Sequence, residues 1–170
     1  MPRFKPLPPL ERVKQILDYN SETGVFTWKV RRSSNAMPGQ VAGVVNSTGY
    51  RYISIDDKKY LAHRLAWFLH HGDDPLDLDV DHKNRNSLDN RIENLRLATK
   101  HQNLWNTVKR ADSSSPYKGV HFQKSIKRWV AAIKHGGKKH HIGSYGTAEE
   151  AADAYQAKAI ELRGSFARFD

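Results

Sequence analysis

Cysteine is absent from all 170 residues, which removes disulfides, thiol nucleophiles and cysteine-based zinc sites together. Any metal must then be held by Asp, Glu, Asn or His. Long apolar runs are missing too: no stretch approaches the roughly 20 apolar residues that a membrane span requires, and none sits beside a basic cluster as a surface anchor would. No membrane partner is expected. The weakly basic start Met1-Pro2-Arg3-Phe4-Lys5-Pro6-Leu7-Pro8-Pro9 has no apolar segment behind it, so it makes no secretory signal and the expected location is a cytoplasm, that of a bacterial host if the chain is phage-encoded. Acidic residues are few. Only 18 Asp and Glu stand against 28 Lys and Arg, a formal net charge of +10, and that imbalance favours a polyanionic partner.

What is present falls into two halves of an α+β chain. Leu10, Val13, Ile16 and Leu17 recur at helical spacing over 10–19, and Asn20-Ser21-Glu22-Thr23-Gly24 then breaks the pattern into a turn. Alternation over 25–28 and 50–55 predicts strands, with a loop at 33–39 between them. Leu61, Leu65, Phe68 and Leu69 share one helical face, and Gly72-Asp73-Asp74-Pro75 stops that helix. After Asn106 the chain turns small and polar up to Pro116, which reads as a linker. Three strand-like runs follow, near 118–123, 128–134 and 138–142. The last predicted element is a helix with Thr147 as N-cap, Glu150 at the capping-box position, Gly164 as its end, and a buried stripe of Ala148, Ala151, Ala152, Tyr155, Ala159 and Leu162. The expected domains are residues 1–106 and 117–170, joined by a linker at 107–116.

The chemistry gathers at 80–106. Val80-Asp81-His82-Lys83-Asn84 ends an apolar strand with a carboxylate and an imidazole side by side, and 94–99 forms a second short strand. A helix then opens with Thr99 as N-cap and Gln102 at the capping-box position, carrying Asn103 and Asn106 about one turn apart. Phosphodiester hydrolysis needs a deprotonated water in line with the leaving oxygen and positive charge near the oxygens that gain negative charge. His82 suits the first task as general base. For the second, Asp81 can give a carboxylate oxygen and Asn103 a neutral amide oxygen to a hard divalent ion that keeps its remaining waters, as Mg²⁺ does. Taken alone, an Asp-His pair reads equally as a turn cap beside a packed histidine. His63 likewise has a core and a functional reading, and Asn106 is either a solvated or backbone-bonded residue or a DNA contact. His70, His71 and His101 read as surface histidines near helix ends.

The run D-H-K-N-R-N-S-L-D-N-R-I-E-N-L-R-L-A-T-K-H-Q-N resembles the HNH nuclease motif in the variant of phage homing endonucleases. His63-Arg64-Leu65 and the turn from Asn20 to Trp28 resemble that group as well, so the likeness covers most of residues 10–108. It implies a ββα-metal nuclease domain in which His82 activates water, Asp81 and Asn103 hold Mg²⁺ or Mn²⁺, and Asn94 ties the loop of the motif in place. Asn103 stands where many members have His, a substitution found in the phage subgroup that disfavours a tightly held transition metal. The resemblance further implies a freestanding phage or mobile-element enzyme, a monomer or weak dimer, that cuts one strand per site and leaves a 5′-phosphate and a 3′-hydroxyl.

Between Lys100 and His141 ten Lys or Arg residues face a single acid, Asp112. In the strand 128–134, alternation sends Trp129, Ala131 and Ile133 toward the helix and Arg128, Val130, Ala132 and Lys134 to the opposite face. The same logic exposes Lys118, His121 and Gln123 on the first strand if Val120 and Phe122 point inward, and Lys139 and His141 on the third. Such a face can enter the major groove of double-stranded DNA, or it is a basic, solvated surface without specific contacts. Residues 117–170 resemble the AP2 (ERF-type) DNA-binding domain, notably in G-x-Y-x-T-A-E-E-A-A-x-A-Y. That likeness implies a small three-stranded sheet on one helix that contacts DNA through Lys118, His121, Gln123, Lys134, Lys139 and His141. Several positions that are Arg or Trp in the family are His, Gln or Lys here, and one residue is inserted before Trp129, so the family's base preference does not transfer. Two functions stay open on the sequence: a homing-type endonuclease aimed by its AP2-like domain, or a transcription regulator whose HNH half is an inactive scaffold.

Overall fold

A computed structural model describes residues 4–106 and 115–169, so all but the last two positions of the expected linker lie outside the described residues. By packing, the chain divides into two compact units, Met1–Lys100 and His101–Asp170.

In the first unit, α1 (Leu10–Ile16) buries Val13 and Ile16. The apolar repeat runs on to Leu17, yet the helix ends one residue earlier: Leu17 has φ −124° and ψ 142°, and Leu17–Tyr19 form β1. The cause lies in the following turn. Asn20 Oδ1 accepts from the N–H groups of Glu22 and Thr23, and Gly24, at φ +73°, donates to the Asn20 carbonyl. The turn thereby folds β1 back onto β2 (Phe26–Trp28), with Leu17 opposite Trp28 and Tyr19 opposite Phe26. Leu17 is buried in either conformation, which is why the helical pattern overruns the boundary.

β3 (Val44–Val45), β4 (Arg51–Ile55) and β5 (Lys58–Leu61) form an antiparallel sheet in that order. Asp56 and Asp57, at φ 45° and 61°, make the two-residue hairpin between β4 and β5. β5 leads directly into α2 (Ala62–His71), which Gly72 ends in the left-handed region at φ 81°. Phe26, Ile53, Ile55 and Leu65 are among the fully buried side chains of this unit's core. Arg64, also buried, donates from Nη1 to the Leu78 carbonyl (2.8 Å) and from Nη2 to the Leu76 carbonyl (2.8 Å). These bonds fix the entry into β6 (Asp79–His82), which pairs with β7 (Leu95–Ala98) after a 3-10 turn at Ile92–Asn94.

α3 (Lys100–Trp105) starts at the boundary between the units. In the second unit β8 (Val120–Gln123), β9 (Arg128–His135) and β10 (Lys138–Tyr145) form one antiparallel sheet with β9 in the centre, and α4 (Ala148–Arg163) packs on it. The Thr147–Glu150 capping box is formed in both directions and Gly164 follows the helix. Ala151, Ala152, Tyr155 and Ala159 meet Val120, Ala131 and Ile133; the alanines let the helix lie close. Gly119 shows how close: a Cβ there would fall 2.1 Å from the Tyr155 ring, and its φ is +74°. The molecule is thus a mixed helix-and-strand chain whose C-terminal part is a three-stranded sheet on one helix.

Candidate active site and nucleic-acid face

The hairpin register sets Asp81 opposite Arg96 and His82 opposite Leu95. Both ends of the loop that follows are tied by Asn94. Its Oδ1 accepts from the Asn84 N–H (3.0 Å), while Nδ2 donates to Asn84 Oδ1 (3.0 Å) and to the Asp89 carbonyl (2.8 Å). Asn84 in turn donates to Asp89 Oδ2 at 2.7 Å, and Arg91 holds Asp89 through Nε and Nη2, both at 2.8 Å. The Arg91 guanidinium, above all, holds the Asp89 carboxyl down to about 2, so this carboxylate remains an acceptor. Most of the polar side chains in the loop therefore serve to hold its shape.

His82 is 5 % exposed, so only a ring edge can meet solvent. Its ring stands edge-on to His63 at 5.0 Å, and Tyr50 lies 5.4 Å from His63 and 6.2 Å from His82. Nε2 lies 3.0 Å from Asn90 Oδ1. Burial lowers the His82 pKa, against smaller raising effects from Asn90, Asp81 and Asp89, and this keeps the ring neutral and able to take a proton. His63 is pressed down to about 3, first by burial and then by the nearby His82 and Arg64, so it too is neutral.

Asp81 lies against Arg96, whose Nε (2.9 Å) and Nη2 (2.8 Å) both reach Oδ2. Both side chains are largely buried. Asn103 lies on α3, assigned to the second unit. Among the described residues no group of three or more His, Cys, Asp or Glu could hold a metal. A lone carboxylate such as Asp81 suits a hard ion that retains most of its waters. Asn90, Arg96 and Tyr19 are not evident from sequence. The strand register gives Arg96 away once β6 and β7 are paired; nothing in residue spacing points to the other two.

In the second unit the register sorts the sheet into two faces. Trp129 sits between Phe122 and Tyr145, and Ala131 between Val120 and Gly143, on the side of α4. On the other side Gln123 pairs with Arg128, His121 and Ser144 flank Val130, His141 pairs with Ala132, and Lys139 pairs with Lys134. Arg128, Gln123, Lys134, Lys139 and His141 are exposed there; His121 is half-buried. Val130 and Ala132 are buried between these longer side chains. Phe122, expected to point inward, is 41 % exposed and meets Trp129 edge-on at 5.2 Å, because β8 is an edge strand. Lys118 precedes β8, and its Nζ donates to the Trp105 carbonyl at 3.1 Å. Asn106 is 4 % exposed, and its Oδ1 accepts from Arg168 Nε at 2.9 Å. No helix among the described residues is long and apolar enough to cross a membrane.

Two family models match the chain. Residues 60–104 match an HNH endonuclease family model, and residues 115–165 match the model of the AP2 domain. The chain is 33% identical over 107 residues to "Protein 3.8" of Escherichia phage T7, across 63% of this chain and 88% of that protein. It is 38% identical over 124 residues to an uncharacterized HNH endonuclease of Acanthamoeba polyphaga mimivirus, across 72% of this chain but only 63% of the viral protein's length. No solved structure matches. On these matches the chain belongs to the HNH endonuclease family and carries a C-terminal AP2 domain.

Proposed function

We propose that the protein is a metal-dependent, homing-type DNA endonuclease that nicks one strand per active site, with residues 1–106 supplying chemistry and residues 117–170 holding double-stranded DNA. The observation that carries this reading is the neutral, buried imidazole of His82 at the end of a hairpin whose loop is closed by Asn94. His82 takes the proton of the attacking water as the water oxygen bonds to phosphorus. The bond from phosphorus to the 3′ oxygen breaks, and the leaving oxygen takes a proton from solvent water, which gives a 5′-phosphate and a 3′-hydroxyl. Asp81 and Asn103 would hold Mg²⁺ or Mn²⁺, which would supply positive charge at the scissile phosphate. Arg128, Lys134 and Lys139 on the sheet provide phosphate contacts, and Gln123, His121 and His141 stand where base edges pass. Lys118 contributes charge beside that face, whereas the internal bond of Asn106 gives it a structural place.

A supercoiled plasmid incubated with Mg²⁺ tests the reading. The native chain should relax it, and His82→Ala should abolish relaxation while DNA binding is retained. If His82→Ala nicks as fast as the native protein, this mechanism is wrong. Binding without any nicking by the native chain would favour a regulator instead.

A further inference from the structure

Asn90 belongs to the loop that Asn94 closes, yet it bonds to neither Asn84 nor Asn94. It is 1 % exposed, and its side chain is directed at His82 alone among the bonds of that loop, with Oδ1 at 3.0 Å from Nε2. An amide oxygen can only accept, so this contact requires the proton of the neutral imidazole to sit on Nε2 and puts the ring's lone pair on Nδ1. The backbone of Asn90 is fixed independently. Tyr19 Oη donates to its carbonyl at 2.7 Å, and its own N–H donates to the Leu88 carbonyl at 3.1 Å. Burial pushes the Tyr19 phenol up to about 12, which keeps it a donor throughout the neutral range. From the other side the β1–β2 turn presses in: a Cβ on Gly24 would fall 2.6 Å from the Asn90 carbonyl carbon and 2.5 Å from the Arg91 nitrogen. Ile92 N–H also donates to the Ser21 carbonyl at 3.0 Å.

We propose that Asn90 is the positioning residue of the catalytic histidine: it fixes the tautomer and ring plane of His82 so that Nδ1 receives the water's proton, and the N-terminal hairpin holds Asn90 in place. This rests on the nuclease reading above. Once Nδ1 is protonated, Asn90 Oδ1 still accepts from Nε2, so the imidazolium keeps its partner through the step. At metal-bound histidines, outer partners that orient the ring are worth about 10- to 100-fold in activity, and the same order is expected for an oriented general base.

The test uses the full chain with ¹⁵N-labelled histidine. In the native protein at pH 8 a hydrogen-bonded proton should be found on His82 Nε2, assigned by its loss in His82→Gln. Asn90→Ala should remove or move that resonance and lower kcat about 10- to 100-fold with KM for DNA unchanged. Asn90→Asp, which keeps an acceptor oxygen, should retain both the resonance and most of kcat. Should Asn90→Ala fail to fold, Tyr19→Phe removes only the hydroxyl that clamps the Asn90 carbonyl, and a smaller fall in kcat alone is expected. A proton found on Nδ1, an unmoved resonance in Asn90→Ala, an unchanged kcat, or a loss confined to KM would each overturn the proposal. If the native chain does not cleave DNA the nuclease reading itself falls, whereas the resonance still reports whether Asn90 sets the tautomer.

Discussion

At the scale of single residues, His63 shows what burial does to a titrating group. Its pKa is pressed from 6.5 to about 3, so the folded protein excludes a proton that the unfolded chain accepts. The contribution is therefore full above pH 6.5 and is lost as pH falls from there toward about 3, at about 1.4 kcal/mol per pH unit. Denaturant midpoints measured at pH 7, 6 and 5 should fall steadily, and His63→Leu should flatten the decline. An equally steep decline in the variant would place the acid sensitivity elsewhere. Arg96 offers a second measurement. Replacing it with Met removes the guanidinium from a carboxylate buried beside it, a change that costs about 3–5 kcal/mol when one partner of a buried pair is removed. Millimolar Mg²⁺ should recover part of the melting temperature if Asp81 is a metal ligand, and none if it is only structural.

Much at this scale is legible without the fold. Asp81, His82 and Asn94 stand out as candidates because the motif sets residue type at a fixed spacing, and the spacing is written in the chain. Asn90 and Tyr19 are invisible in the same text, since their bond links segments 71 residues apart and any Asn or Tyr reads alike until the chain closes.

Among the elements, those with a long period or a defined cap are readable. α4 has both: an apolar stripe over four turns and a Thr-Glu capping box. β5 escapes a reading by pattern because Lys58-Lys59-Tyr60-Leu61 is short and half charged, although the Asp56-Asp57 pair ahead of it is a hairpin signal. The apolar repeat overshoots α1 because Leu17 satisfies two periods at once. The joint between β8 and α4 carries a prediction of its own. Gly119→Ala needs a side chain at φ +74° and inside the Tyr155 ring, for a combined cost of about 2–4 kcal/mol. Hydrogen exchange should quicken at the β9 amides of the full chain and stay unchanged at β4. Unchanged exchange in β9 would mean the helix can shift aside.

For the whole molecule the governing quantity is charge. The net +10 is weighted toward the second unit, and the sheet face turned away from α4 carries Arg128, Lys134 and Lys139. Every phosphate that the protein no longer neutralises should lower the magnitude of the slope of log K against log salt by about 0.9. The triple variant Arg128→Gln, Lys134→Gln, Lys139→Gln should therefore flatten the slope by about 2.7 if all three meet phosphates. A slope equal to the native one would move the DNA interface off this face.

The N-terminal hairpin gives the domain a different outline from the motif it serves. The segment that matches the nuclease family starts at residue 60, but Tyr19 and Gly24 brace Asn90, the Ser21 carbonyl accepts from Ile92, and the Gly49 carbonyl accepts from Ser87 in the same loop. A fragment trimmed to residue 60 would still carry Asp81, His82, Asn94 and Asn103 and would lose the frame around them. Anyone cutting this domain down for use elsewhere, or grafting its loop onto another scaffold, has to carry the first hairpin along as part of the loop's frame.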